Sequence, residues 1–163
     1  MVVKMSAPKR DRPDIPKEYG IAQGEAGMVE WPWVVEQLEK SRIYWLISLY
    51  PDGRPHCVPS WGAWVENRLY FSGGDMTRHA RNLALNPALI AHLESGDRAV
   101  IVHGVAEKAV DVPAAIMRQV EAAYVAKYGA GEGATFSLIP RKILAWTATD
   151  STYATSPTRF LFD

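Results

Sequence analysis

The chain holds one cysteine, Cys57, so no disulfide can close within it, as suits a reducing compartment. Charge of one sign is not in excess either. Eighteen Lys and Arg are matched by 18 Asp and Glu, and without a net positive field the chain is not expected to gather nucleic acid or acidic lipid. Long apolar runs are absent: no segment reaches the roughly 18 apolar residues that span a bilayer, and the start, MVVKMSAPKRDRPDIPKEYG, lacks the apolar stretch of a secretory leader. The expected location is the cytoplasm, with no membrane partner. Metal and nucleophile motifs are missing as well. His56, His79, His92 and His103 stand apart without HExxH or a Cys/His cluster, no serine sits in G-x-S-x-G, and Cys57 lies in a strand-like run with no helix N-terminus to activate it. Neither a metal site nor a catalytic nucleophile is expected.

What is present is ordinary globular composition with an aromatic surplus. The 163 residues fit one domain, large enough to bury roughly 70% of the unfolded surface without a metal or disulfide. Six Trp and seven Tyr exceed what so small a core needs, so some should line a pocket or an interface. Residues 1–27, with Pro8, Pro13 and Pro16 followed by Gly20, Gly24 and Gly27, read as an N-terminal arm, and residues 28–163 as the main domain. Pro32, Val34, Val35 and Leu38 place a short amphipathic helix over Trp31–Lys40. Strands are expected over Ile43–Tyr50, Pro55–Val65 and Arg68–Ser72, with turns at Pro51-Asp52-Gly53 and Glu66-Asn67. The first is apolar on both faces, which predicts cover on both sides. A helix over Thr77–Leu85, a hairpin of Leu89–Glu94 and Ala99–Val110, a long helix from Pro113 to about Tyr128, and a last strand over Lys142–Thr149 complete the order. That order is a mainly β, antiparallel barrel with inserted helices, not a βαβ repeat. Gly129–Ala134 matches a loose dinucleotide fingerprint, but it follows a helix instead of a strand and reads as a flexible connection.

The strongest chemical signal is Tyr70–Pro87, YFSGGDMTRHARNLALNP. A strand ends in Ser72, glycines allow a sharp turn, and a helix begins near Thr77, Arg78 and His79. Free N–H groups and the positive dipole end would hold an anion there, with the Arg78 fork and the Thr77 hydroxyl as further donors, and Arg81 and Asn82 on the same side. An ordinary capped surface helix fits the same residues, and local physics leaves both readings open.

The segment resembles the phosphate-binding signature of the pyridoxamine 5'-phosphate oxidase-like, flavin-binding split-barrel family, through Phe71-Ser72, Thr77-Arg78-His79, Leu83 and Asn86-Pro87. Tyr44-Trp45-Leu46, Pro51 to Pro55, Val58-Pro59 and Trp61-Gly62-Ala63-Trp64 look like the family's opening strands, and Ile101 to Val105 like its central strand. The likeness covers about Trp31 to Thr149. It implies a six-stranded antiparallel split β-barrel of Greek-key type, homodimeric, with FMN in the groove between two barrels and a small-molecule substrate oxidised or reduced at the flavin. It also implies that His56, Val58, Pro59 and Ser60 line the ring, that Ser72, Thr77, Arg78, His79, Arg81 and Asn82 hold the phosphate end, and that Trp146 and Arg159 reach the site from the partner subunit. Two departures stand out. His79 replaces the family's lysine, and the chain ends in Thr158-Arg159-Phe160, similar to relatives that use the deazaflavin coenzyme F-420. Deazaflavin is thus the alternative cofactor, and a non-catalytic flavin- or haem-binding module the alternative function.

Overall fold

The computed structural model describes residues 7–131, 133–149 and 151–163; the first six residues of the expected arm and Glu132 of the glycine-rich connection lie outside them. The first helix, α1, spans Trp31–Lys40, as the apolar spacing predicts, and buries Val34 and Leu38. Its C-terminal carbonyls are not left bare: the Tyr44 hydroxyl donates to Leu38 O at 2.5 Å, and Ser41 N–H reaches Gln37 O. Among the described residues nine strands form one antiparallel sheet: β1 (Lys9–Asp11), β2 (Tyr44–Leu49), β3 (Pro55–Ser60), β4 (Gly62–Val65), β5 (Arg68–Phe71), β6 (Ala88–His92), β7 (Arg98–Lys108), β8 (Phe136–Thr147) and β9 (Thr158–Leu161). Two more helices, α2 (Arg78–Leu85) and α3 (Ala114–Tyr128), are inserted between strands.

All six expected strands are present. The second is two strands, because Trp61 turns a corner between β3 and β4, and the chain ends add β1 and β9. Lys9, Arg10 and Asp11 pair with Leu161, Phe160 and Arg159, so part of the arm is tied into the sheet. Gly53 at φ 85° and Asn67 at φ 58° carry backbone that their residues favour, whereas Glu66 at φ 49° is held in the left-handed region by the type I′ hairpin it shares with Asn67. The sheet splits along β8. One edge of β8 pairs with β7 throughout, while the other pairs first with β5 and then with β9. The β7–β8 register shifts at His103/Gly104, where Arg141 is the extra residue on β8 and a Cβ on Gly104 would sit 2.0 Å from Ile139 O.

The barrel interior holds the main core, including Leu46, Leu69, Val100, Leu138 and Ile143. A second cluster, Ala63, Val65, Tyr70, Val120 and Tyr124, seals α3 against the outside of β4 and β5. At the end of α3 the Lys127 ammonium donates to Tyr44 Oη at 2.8 Å and to Gly62 O at 3.2 Å. Burial holds that ammonium well below the ordinary lysine value, at about 8. The two faces of β2 differ within one chain: Tyr44, Leu46 and Ser48 are buried, whereas Trp45, Ile47 and Leu49 are only half-covered. Among the described residues no helix is long and apolar enough to cross a membrane.

Candidate functional site

Strand β5 ends at Phe71, and the chain reverses through residues 72–76 before entering α2 at Thr77. Thr77 is the N-cap: its hydroxyl accepts from Ala80 N–H at 3.3 Å and donates to Gly74 O at 2.8 Å. Arg81 N–H reaches Thr77 O. The N–H groups of Arg78 and His79 precede any acceptor of the helix itself, which leaves the positive end of α2 ready for an anion. Arg78 lies over the Tyr50 ring at 5.0 Å, Arg54 over the same ring at 4.9 Å, and His56 meets it edge-on at 5.5 Å. Two guanidinium groups thus converge on one aromatic beside the helix N-terminus.

The inward side of α2 is polar and incompletely satisfied. Asn82 is 1% exposed; its Nδ2 donates to Ser48 Oγ at 3.0 Å, and its Oδ1 has no partner. His79 Nε2 is likewise buried without a partner and lies against the turn, where a Cβ on Gly73 would come within 2.2 Å of it. Glycine at 73 is therefore a matter of space, since only its missing side chain lets the imidazole pack there. Burial pushes the His79 imidazole below the ordinary histidine value; the Ser72 backbone pulls the other way, and His56 adds to the depression. His56 stands opposite Ser48 in the β2–β3 register, so Ser48, His56, His79 and Asn82 connect β2, β3 and α2. An uncapped acceptor and a neutral imidazole next to free N–H groups and Arg78 fit a ligand with an anionic end and hydroxyls behind it.

The site residues expected from sequence fall into two places. His56, Arg78, His79 and Asn82 are brought together, and Val58 and Ser60 share the half-buried side of β3 with His56, while Pro59 is exposed on the other side. Ser72 Oγ donates to Gly133 O, Thr77 is spent as a cap, and Arg81 is exposed. Trp146 and Arg159 lie on β8 and β9, across the sheet from α2; Arg159 donates through Nε and Nη2 to both carboxylate oxygens of Asp11, each at 2.8 Å. Ser48, Tyr50 and Arg54 escaped sequence reasoning. The signal for them was weak: Ser48 interrupts an apolar strand, and Tyr50 and Arg54 bracket a turn that accounts for itself. Among the described residues no group of three His, Cys, Asp or Glu side chains could hold a metal.

A family model described as pyridoxamine 5'-phosphate oxidase matches residues 32–153. No curated protein matches the chain. Among solved structures, the conserved hypothetical protein Rv2991 from Mycobacterium tuberculosis is 23% identical, with a TM-score of 0.64, over 77% of this chain and 90% of that one. An FAD-binding protein from Mesorhizobium loti is 16% identical, with a TM-score of 0.57, over 83% and 96%. An F420 reductase is 22% identical, with a TM-score of 0.50, over 66% and 94%.

Proposed function

Because the chain belongs to the pyridoxamine 5'-phosphate oxidase family, we propose that it is an FMN-binding oxidoreductase that transfers hydride or electrons between the flavin and a small substrate. The observation that carries this reading is the junction before α2, where open N–H groups, Arg78 and two unpartnered buried side-chain atoms meet. In it the first turn of α2 and Arg78 would hold the phosphate, and Asn82 and His79 would serve the hydroxylated chain behind it. His56, Val58 and Ser60 flank the ring along β3. The flavin supplies the redox chemistry when bound, while the chain binds, orients and excludes water, which accounts for a site without a nucleophile or a paired acid and base. His79, held neutral, donates or accepts a hydrogen bond but adds no charge, so Arg78 carries the electrostatic part of phosphate binding.

The reading includes a homodimer. Pro59, Trp45, His92, Ile101, Leu144 and Arg159 form one cross-strand row, and the neighbouring row carries Ile47 and Ile90. This outer face, with Trp146 on β8, is apolar at its centre and would be covered by the same face of a second copy. Arg159 and Trp146 would then approach the partner's cofactor. A second cofactor reading, a deazaflavin, draws support from the F420 reductase similarity and from the Thr158-Arg159-Phe160 ending.

Denaturing the purified protein and measuring the mass and absorption of what is released tests the reading. FMN, bleached by anaerobic reduction in the native protein, supports it, and a deazaflavin supports the second cofactor. A colourless protein that binds neither, or one that takes up only haem, overturns it.

A further inference from the structure

At the opposite end of the sheet from α2, residues 12–24 form a closed loop beside β1 and β9. Arg12 fastens its two ends, because Nε donates to Gly24 O at 2.8 Å. The same guanidinium donates to Ala26 O at 3.0 Å, Thr155 O at 2.6 Å and Pro157 O at 2.9 Å, so the loop is also bolted to the C-terminal segment. Ala22 N–H reaches Ala154 O, and a left-handed Gly20 reverses the chain after the single turn Lys17–Tyr19. Compact loops of this length ordinarily fill their own interior. This one leaves a cavity of about 600 Å³ between Ile15, Ile21 and Arg159, within the range of small-molecule sites.

The charge around it is not cancelled. Arg12 touches only carbonyl oxygens, so its positive charge meets no carboxylate there. Lys17 adds an exposed ammonium at the rim, Asp14 is the one acid of the lining, and Arg159 is balanced by Asp11 while its Nη1 stays outside that pair. One positive charge is left over against a partly apolar wall of Ile15, Pro13 and Ile21. We propose that the cavity under the 12–24 loop is a binding site for a small organic monoanion with an apolar body. It goes beyond the flavin reading, whose socket lies where α2 packs on β2, while this cavity lies beside β1 and β9; Arg159 is the one lining residue that the flavin reading also uses.

Calorimetric titration of the full chain with 1-naphthoate tests this, with naphthalene-1-carboxamide as the uncharged match in shape. The expected result is one site per chain, bound about tenfold more weakly by the carboxamide. Lys17→Met should weaken naphthoate about three- to fivefold, and Ile15→Trp, which fills the cavity, should abolish it while FMN binding persists. Arg78→Ala should leave it unchanged. Equal binding of acid and amide, no effect of Lys17→Met and Ile15→Trp, no binding at about 10 mM, or displacement of naphthoate by FMN would each overturn the proposal.

Discussion

Arg12 and Arg78 stand at opposite ends of one sheet, and their surroundings differ in a way that separates holding from binding. Arg12 spends its donors on the carbonyls of Gly24, Ala26, Thr155 and Pro157, and its neighbour pair Arg159–Asp11 is bidentate. Arg78 rests on the face of Tyr50, and the helix it opens buries Asn82 Oδ1 and His79 Nε2 without partners. A buried polar atom left unpaired costs about 1–3 kcal/mol, which persists where a ligand later supplies the missing bond. The other two unpartnered atoms among the described residues, Trp64 Nε1 and Ser137 Oγ, are isolated from each other in sequence; His79 and Asn82 are one helical turn apart. Saturation marks the clasp, and clustered vacancy of hydrogen bonds marks the socket.

The comparison breaks most visibly at Arg12. Arg12→Ala should lower stability by about 2–3 kcal/mol, read from denaturant midpoints, because several carbonyls lose one charged donor together; its FMN affinity should be unchanged. Arg78→Ala should do the reverse, weakening FMN by about 1.5–3 kcal/mol with little change in unfolding midpoint. Gly73→Ala sharpens the socket: a Cβ there drives His79 from its place, and FMN should weaken by about 1 kcal/mol even though no donor to phosphate is removed. Acid should expose the same histidine. Its folded value lies below its unfolded one, so the unfolded chain binds more protons as pH falls, and stability present above about pH 6.5 should be lost as pH drops through the lowered folded value. His79→Gln should flatten that slope in part, the remainder belonging to His103, which burial also lowers. The smallest effect is expected at Lys127→Met, within about 1 kcal/mol, because Tyr44 Oη still donates to Leu38 O and Gly62 O still accepts from Tyr128 Oη.

Sequence reasoning reached the barrel through local physics. Trp31–Lys40 carried its helix in the spacing of Val34 and Leu38, and Glu66-Asn67 carried its hairpin in Asn67, which tolerates positive φ, between two apolar runs. It missed β1 and β9, three and four residues long, since neither is long enough to show a pattern by itself: β1 is a strand because the far end of the chain lies beside it, and β9 because it lies between β1 and β8. It also read Pro55–Val65 as continuous, although Ser60-Trp61 turns the corner that separates two pairings. At the site, the helix start was legible in Thr77-Arg78-His79. What the sequence could not show is that Thr77 is consumed by its own cap, that His79 packs against Gly73, or that Tyr50 and Arg54 join from a distant turn.

The central claim is that the anionic end of a flavin is gripped at the start of α2. Titrating the protein with FMN and with riboflavin, and repeating both with Arg78→Ala, tests it most directly. FMN should bind the native chain at least tenfold more tightly than riboflavin, and the variant should lose that preference while keeping its affinity for riboflavin. Equal binding of the two flavins by the native chain, or a preference for FMN that survives the loss of Arg78, would contradict it.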